Sequence, residues 1–481
     1  MGRMELHPTD WLTSNTHFDL YSKRGIGLGQ DFEWETPNGG GGIEAYYIND
    51  RSPFQSTKSA ADESLVNSTR YRVKIGHREQ LTDNTYFITQ INYLSDPFVT
   101  EDFFRDEFRR NANPENYAVV QHATDEYAAS LRIDRRMNGF YTNMVDRIPE
   151  LEFDWYRSQI KDSPFYVESE SSLSFLEMND AETNQLPFLR PDNYHSARFD
   201  TYNQLFLPLR FDNFFNVIPR TAYRGTWYSK TPNAGAVHRN IFEFGTLASF
   251  KMHKQLTDKS GFYGEGLNHI MQPYTEYSYR DNPSKDAVNL YQFDDIDTLE
   301  SENLIYLGLR NFIQTKRGDK RIANVLDADV YTAYRFEHDD DENGFGLLGA
   351  KMNLSLTDHF SVHSDLEYDW HDGSFEDFNA RAQLTTTDFS EYSVGYRYLD
   401  GVRSLYTAKA LLFPNDDWSY EFTVRYDSDG SQWGDRELMV NRRFDCVGVG
   451  VGFQCDQDDD IALWLQLWLT AFDRDNKDMR P

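Results

Sequence analysis

Cysteine, basic residues and long apolar runs are all scarce in this chain, and each shortage excludes a class of protein. Two Cys in 481 residues rule out a disulfide scaffold and a thiolate metal cage. The 12 His are scattered, with no His-Glu-x-x-His spacing for zinc, so neither a metal nor another cofactor is expected. Lys and Arg number 48 against 78 Asp and Glu, a net charge of −30. Binding nucleic-acid phosphates needs a basic surface, so DNA and RNA are not expected partners. No run reaches the roughly 18 apolar residues of a membrane-spanning helix, and mean hydropathy is −0.70. The opening residues, MGRMELHPTDW, lack the apolar core of roughly 7–15 residues that marks a signal peptide. Read literally that is a cytoplasmic start, whereas the rest of the chain reads as an envelope protein. A start inside a larger gene product reconciles the two.

Aromatic residues, by contrast, make up 15 % of the chain, with 30 Tyr and 35 Phe. Alanine-rich bundles and disordered acidic tails do not have this composition. The dominant pattern is alternation. Phe360, Val362, Leu366, Tyr368 and Trp370 interleave with Ser361, His363, Asp365, Glu367 and Asp369. Trp418, Tyr420, Phe422, Val424 and Tyr426 interleave with Ser419, Glu421, Thr423 and Arg425, and Tyr71, Val73 and Ile75 with Arg72, Lys74 and Gly76. Similar segments occupy 25–36, 42–49, 84–95, 127–135, 149–157, 164–177, 197–211, 213–229, 241–254, 266–280, 303–315, 322–337, 378–388, 404–413, 436–453 and 460–472. Successive strand side chains point to opposite faces, so most of these segments carry one apolar and one polar face. Asp-Gly at 372–373, 400–401 and 429–430 and Glu-Asn-Gly at 342–344 are hairpin turns. From about residue 320 onward the reading is strand, short turn, strand, longer loop. The best helical candidate, VTEDFFRDEFRRN at 99–111, is short enough to be one or two turns within a loop.

Two architectures hold so many alternating strands. A soluble sandwich or propeller buries the apolar face; a transmembrane barrel turns it to lipid around a wet lumen. The fully hydrophilic polar faces, the aromatic clusters at strand ends (Trp227 and Tyr228, Tyr277 and Tyr279, Tyr368 and Trp370) and the long connections at 52–68, 97–116, 180–194 and 281–302 favour the barrel. Its girdles are aromatic and its outer loops are the long ones. The expected fold is all-β, a large antiparallel transmembrane barrel of roughly 22–26 strands.

Several stretches then resemble, in order, the barrel region of LptD, the lipopolysaccharide-assembly family of the outer membrane. They are SKRGIGLG at 22–29 followed by GIEAYYIND at 42–50, DRIPELEF at 146–153 (Glu150 where Gln is usual) and ARFDTYNQLFLPLRFDNFFNVIPRTAYRGTW at 197–227. GLNHIMQPYTEYSY at 266–279 (Gln272 in place of Glu), YQFDDIDTLESENLIYLG at 291–308 and RFDCVGVGVGF at 443–453 complete the set. The resemblance implies a barrel over 1–473 with a polar tail over 474–481. Set against that family, the chain is expected to begin after the jelly-roll domain that precedes the barrel, and at or after the first barrel strands.

The resemblance also implies a function in the outer membrane of Gram-negative cells: taking lipopolysaccharide from periplasmic bridge proteins, passing its sugar through the lumen and releasing its lipid sideways between the first and last strands. The implied partners are lipopolysaccharide, those bridge proteins, a plug lipoprotein like LptE, and outer-membrane lipid. No bond is broken, so no enzyme is expected. The last strand, with Ile461, Leu463, Leu465, Leu467 and the terminal aromatic Phe472, is apolar on both faces and reads either as a seam strand or as an ordinary closing strand. Pro208, Pro219 and Pro273 sit in strand-like segments, where each removes a ladder hydrogen bond; they mark flexible wall or simply a bulge or strand end. Cys446 matches a family cysteine that pairs with the N-terminal domain, although Val447 stands where a second Cys is common; a free thiol is the alternative. An unbroken strand from Cys446 to Cys455 spans about 30 Å, too far for a bridge between them without a turn.

Other signals point nowhere further. Asp339, Asp341, Asn343 and Gly344 begin like a calcium loop, but Ala350 holds its twelfth position. Gly448, Gly450 and Gly452 alternate with Val and Phe as in a strand, not a nucleotide loop. The acidic run 456–460 reads as a solvated turn. Paired carboxylates such as Asp365 and Glu367 follow from sheer acidity. Two rival functions stand beside the translocon: a sealed porin, and a secreted soluble β-rich enzyme acting on polysaccharide.

Overall fold

The computed structural model describes the chain except residues 1, 10, 55–56, 58–59, 141–143, 180–192, 213, 257–265, 319–320, 337–343, 446, 456–460 and 469–481. Its strand segments β1 to β27 belong to one sheet. Two staves of the wall are broken in the middle. β11 (Tyr194–Phe206) and β12 (Leu209–Phe211) both pair with β13 (Phe215–Tyr228), and β14 (Val237–Phe250) and β15 (Met252–Leu256) both pair with β16 (Leu267–Arg280). The sheet closes where β2 (Leu12–Tyr21) meets β27 (Ile461–Trp468) antiparallel, giving an all-β antiparallel barrel of 24 staves among the described residues. β1 (Gly2–Thr9), whose backbone alone is described, is wedged between them, antiparallel to β2 and parallel to β27. Four short helices, α1 (Ala60–Glu63), α2 (Val99–Phe103), α3 (Arg105–Arg110) and α4 (Asp295–Thr298), lie in the long connections. No helix of the described residues is long and apolar enough to cross a membrane.

Closure follows from the solvent. Hydrocarbon offers no partner to an unpaired backbone group, so a sheet crossing it must close on itself. The side chains show which way it faces. Val120, Leu131, Leu151, Leu173 and Phe199 are register partners across β7 (Tyr117–Ala123), β8 (Tyr127–Asp134), β9 (Met144–Gln159), β10 (Tyr166–Asn179) and β11. Together they form one continuous apolar row, each member 38–47 % exposed. The buried residues are the reverse: Arg70, Asp297 and Asp435 are fully inaccessible, and Arg198, Arg239, Asp50 and Asp96 nearly so. A water-soluble fold exposes charge and buries aliphatics; this one inverts that rule, as a barrel with a lipid-facing wall must. Aromatic pairs sit at both ends of the staves. Tyr71–Tyr93, Tyr368–Phe375 and Tyr426–Trp433 (ring centroids 5.9, 5.3 and 5.0 Å apart) lie at the end carrying the long loops, Tyr127–Trp155 and Phe214–Phe250 at the other.

The alternation places most strands within a few residues, and 99–111 is indeed two short helices in a loop. Four expectations change. β1, β2 and β7 arise from stretches whose alternation is too irregular to read. The segment 436–453 is two strands, β25 (Gln432–Arg443) and β26 (Gly448–Cys455), because Arg-Arg-Phe-Asp breaks the alternation and the Phe444 N–H donates to the Val447 carbonyl at 2.9 Å to close a turn. Beyond β19 (Leu348–Thr357) the connections are short at both ends of the barrel, not alternately short and long. The Asp-Gly turns at Gly373 and Gly401 use positive φ (+67° and +61°), but at 429–430 the left-handed residue is Ser431 (φ +50°). The tail expected at 474–481 lies outside the described residues.

If the apolar row faces lipid, a charge placed in it is costly and one in the lumen is not. Leu173→Arg is expected to destabilise the folded barrel in vesicles by roughly 2–4 kcal/mol and the inward Ser172→Arg by less than about 1 kcal/mol, read from urea unfolding.

Candidate functional site

Two long loops and one weak closure define the interior. The first loop, 95–116, leaves β6 (Thr85–Leu94) and turns inward. Val99 and Phe103 of α2 pack on Tyr46 and Ile48 of β4 (Gly39–Asn49) and on Leu94, with Tyr21 and Phe104 against them. Charge fixes what this cluster positions. β5 (Thr69–Thr82) aims Arg70, Arg72 and Lys74, two residues apart, into the interior. Arg70 grips Asp96 with both arms (2.9 and 2.7 Å) and also reaches Asp50 (3.1 Å) and Asp102. Arg24, in the turn before β3 (Gly25–Thr36), holds the same Asp50 (3.2 Å) and Asp102 (2.9 Å). Both guanidinium groups lie 5.1 Å from the Phe103 ring centroid. One step down, Glu44 and Glu107 share Arg72 and Lys74 at 2.6–3.3 Å, and Arg72 covers Phe104 at 3.5 Å. Burying ions is costly unless each finds partners; here Arg70, Arg72 and Lys74 each meet carboxylates, with the loop supplying Asp96, Asp102 and Glu107 and β4 supplying Glu44. Burial alone would raise the Glu107 carboxyl pKa, but Arg72 and Lys74 outweigh it and hold the group below its ordinary value.

The second loop, 281–301, repeats the device farther round the wall. Arg198 of β11 forks onto Asp294 (2.7 and 2.6 Å) and reaches Asp297 (3.0 Å), which also accepts from the Tyr228 hydroxyl (2.8 Å). Asp294 and Asp297 form a capping box at the start of α4. Arg239 of β14 donates to the carbonyls that α4 leaves open at its other end, Ile296 (2.9 Å) and Leu299 among them. Tyr194 stacks on Tyr291 with centroids 4.6 Å apart. Burial of Asp294 pushes its pKa up, yet Arg198 pulls it below the ordinary carboxylate range.

The closure is weaker than any neighbouring ladder. β2 pairs with β3 from Leu12 to Tyr21, and β26 with β27 along its whole length. Among the described residues only Leu20–Leu463 and Tyr21–Ala462 are register partners between β2 and β27, and β1 adds a short parallel ladder from Gly2–Leu465 to Met4–Leu467.

Of the residues singled out from sequence, Ile461, Leu463 and Leu465 stand exposed on one face of β27. Leu467 is the register partner of Met4 and Val449, and Cys446 and Phe472 lie outside the described residues, as does the start of the calcium-like loop at 339–343. Cys455 accepts a 2.9 Å contact from Arg436. The prolines collect about halfway round the barrel from the closure. Pro208 lies in the break between β11 and β12, opposite Pro219, whose carbonyl accepts from the Leu207 N–H (3.0 Å). Pro273 sits in β16 beside the break between β14 and β15. Among the described residues Asp369, Asp372 and Glu376 converge at the hairpin after β20 (Phe360–Asp369), where Asp369 caps the His371 N–H at 2.6 Å. The two loop clamps were not read from sequence. The cationic column on β5 was visible as a polar strand face; its partners, tens of residues away in loops, carry no local signal.

Removing Arg198 leaves the buried Asp297 and the half-buried Asp294 short of their counter-charge, a loss of roughly 3–5 kcal/mol. Arg198→Ala is therefore expected to expose 281–301 to limited proteolysis while the wall stays resistant. Asp294, with its pKa depressed on folding, stabilises the clamp above the ordinary carboxylate pKa of about 4 and stops doing so as pH falls through the lower folded value. Cleavage of this loop should be flat between roughly pH 8 and pH 5 and rise only below about pH 4.

No curated protein matches the chain. Solved structures similar to it include a mutant of the Rh. blastica porin (9 % identity, 62 % of this chain and 97 % of the porin, TM-score 0.23). A mutant of the ferric enterobactin receptor PfeA from Pseudomonas aeruginosa (9 %, 91 % and 67 %, 0.29) and the P pilus usher PapC translocation pore (7 %, 94 % and 97 %, 0.26) are others. The family model LptD, LPS transport system D, matches residues 68–411, a span that holds both clamped loops and most of the wall. The chain therefore belongs to the LptD family and is an outer-membrane β-barrel of the lipopolysaccharide-transport system, a transporter and not an enzyme.

Proposed function

We propose that this barrel inserts lipopolysaccharide into the outer leaflet, carrying the sugar through its polar interior and releasing the lipid sideways where β2, β1 and β27 meet. The observation that carries this reading is the closure itself: among the described residues two antiparallel partners and a three-residue parallel ladder hold β27 to β2 and β1, whereas the ladders on either side of it, β2 with β3 and β26 with β27, have ten and eight partners. Each backbone hydrogen bond contributes on the order of 1 kcal/mol net, so this is the least costly place to part the sheet. An acyl chain can fill the gap, because Leu20 and Leu463 beside it are outward and exposed. Periplasmic bridge proteins would deliver the cargo, and an LptE-like lipoprotein would fill the part of the lumen that the loops leave open. Cys446 would pair with a cysteine in an N-terminal domain, and the prolines of β11 to β16 would let the far wall flex as the seam parts.

The test is to lock the seam. Leu20→Cys and Leu463→Cys place thiols at register partners. Oxidation of the double variant is expected to stop delivery of lipopolysaccharide to the cell surface, reductant to restore it, and each single variant to deliver normally. Normal delivery through a locked seam would remove the lateral exit and leave a barrel that behaves as a sealed porin.

A further inference from the structure

One ion pair joins residues 330 positions apart. Arg105, at the head of α3, donates to Asp435 on β25 at 2.9 Å. Around the sheet, loop 95–116 springs from β6 on one flank of the seam, while β25 belongs to the other. Three residues earlier in the same loop, Asp102 is held by Arg24 and Arg70. Arg24 lies in the turn that ends β2, the seam strand itself. Within four consecutive residues the loop is thus fastened to both flanks, with Phe103 wedged between Arg24 and Arg70 in the middle.

We propose that residues 102–105 form a non-covalent staple across the inner side of the seam, and that it opens at Arg105–Asp435. The two ends are unequal. Asp102 is almost fully buried (side chain 1 % exposed) and meets two arginines that also bracket Phe103. Arg105 is more accessible (14 %). Asp435, itself inaccessible, has a second cation: Arg425, on β24 (Trp418–Asp427), holds its other oxygen at 3.2 Å. Breaking a buried pair is prohibitive when it strands an uncompensated charge. Here the departure of Arg105 leaves Asp435 compensated by Arg425, and Arg105 moves toward water. The staple can therefore release on the β25 side and stay docked on the β5 side, so that loop and β2 flank move as one body. A seam held only by its short ladders would flicker open; a staple that costs little to release keeps it shut at rest without locking it.

The inference builds on the reading of the seam as an exit, but its test contains no lipopolysaccharide, so the two can fail separately. In the full chain reconstituted in phospholipid vesicles, with Cys446 and Cys455 replaced by Ser, nitroxides are placed on the outward residues Ile26 and Val451, one on each flank. Their distance distribution is then measured by pulsed spin resonance. Arg105→Ala and Asp435→Asn are each expected to raise the population of the wide-seam state about fivefold, the weight of one partly buried ion pair. Arg105→Lys should return it toward the parent value. Hydrogen exchange at Val99 and Phe103 should stay unchanged in Arg105→Ala, showing the loop still docked on β4 and β5. A distance distribution identical to the parent's in Arg105→Ala, with the loop docked, would overturn the staple; so would release of the loop from β4 and β5 on that substitution.

Discussion

A β-strand in hydrocarbon has nowhere to put its backbone polar groups except on the next strand. That requirement governs the rest of this molecule. It forces the sheet to close, it turns the aliphatic row Val120–Leu131–Leu151–Leu173–Phe199 outward, and it leaves the interior to the polar side of every strand. The hydrophobic effect, which organises a water-soluble protein around a dry centre, here acts at the outer wall. The buried apolar cluster of Tyr46, Ile48, Leu94, Val99 and Phe103 lies not between two packed sheets but under a loop folded into the lumen.

An acidic chain with a wet interior faces an electrostatic problem, since like charges at close range repel through a low-dielectric wall. The structure answers it locally. Arginines on the wall, Arg70, Arg72, Arg198 and Arg239, are each paired with acids or carbonyls of a long loop. The loops in turn obtain fixed positions from a wall that makes no other demand on them. Strong pairing away from the seam and a short ladder at it concentrate the wall's capacity to open in one place. The same economy places both broken staves, with Pro208 and Pro273, on the side opposite the closure.

How much of this could be read from sequence depends on the range of the interaction. Strand alternation is local, so β3, β10, β16 and β20 were legible almost to the residue, and the inverted polarity followed from the hydrophilic faces of segments such as 360–370. The irregular faces of β1, β2 and β7 were not, because their sequences, such as LTSNTHFDLY in β2 and YAVVQHA in β7, keep no period of two. The 443–448 turn was hidden by the regular Gly-Val repeat that follows it. The clamps were illegible for a different reason: Arg70 with Asp102, Arg198 with Asp294, and Arg105 with Asp435 are partners 32, 96 and 330 positions apart that only the folded chain brings together. In sequence Arg72 and Lys74 are only the polar side of a strand; the fold sets Glu107 against both.

The most direct measurement of the central claim is a cysteine scan along β10 of the barrel in phospholipid vesicles. Single thiols at 171, 173 and 175 should be quenched by lipid-borne quenchers and resist a water-soluble maleimide, while those at 170 and 172 should do the opposite. Neighbouring positions equally shielded from both lipid and water would mean that the apolar faces meet one another in a dry core, which contradicts a lipid-facing barrel.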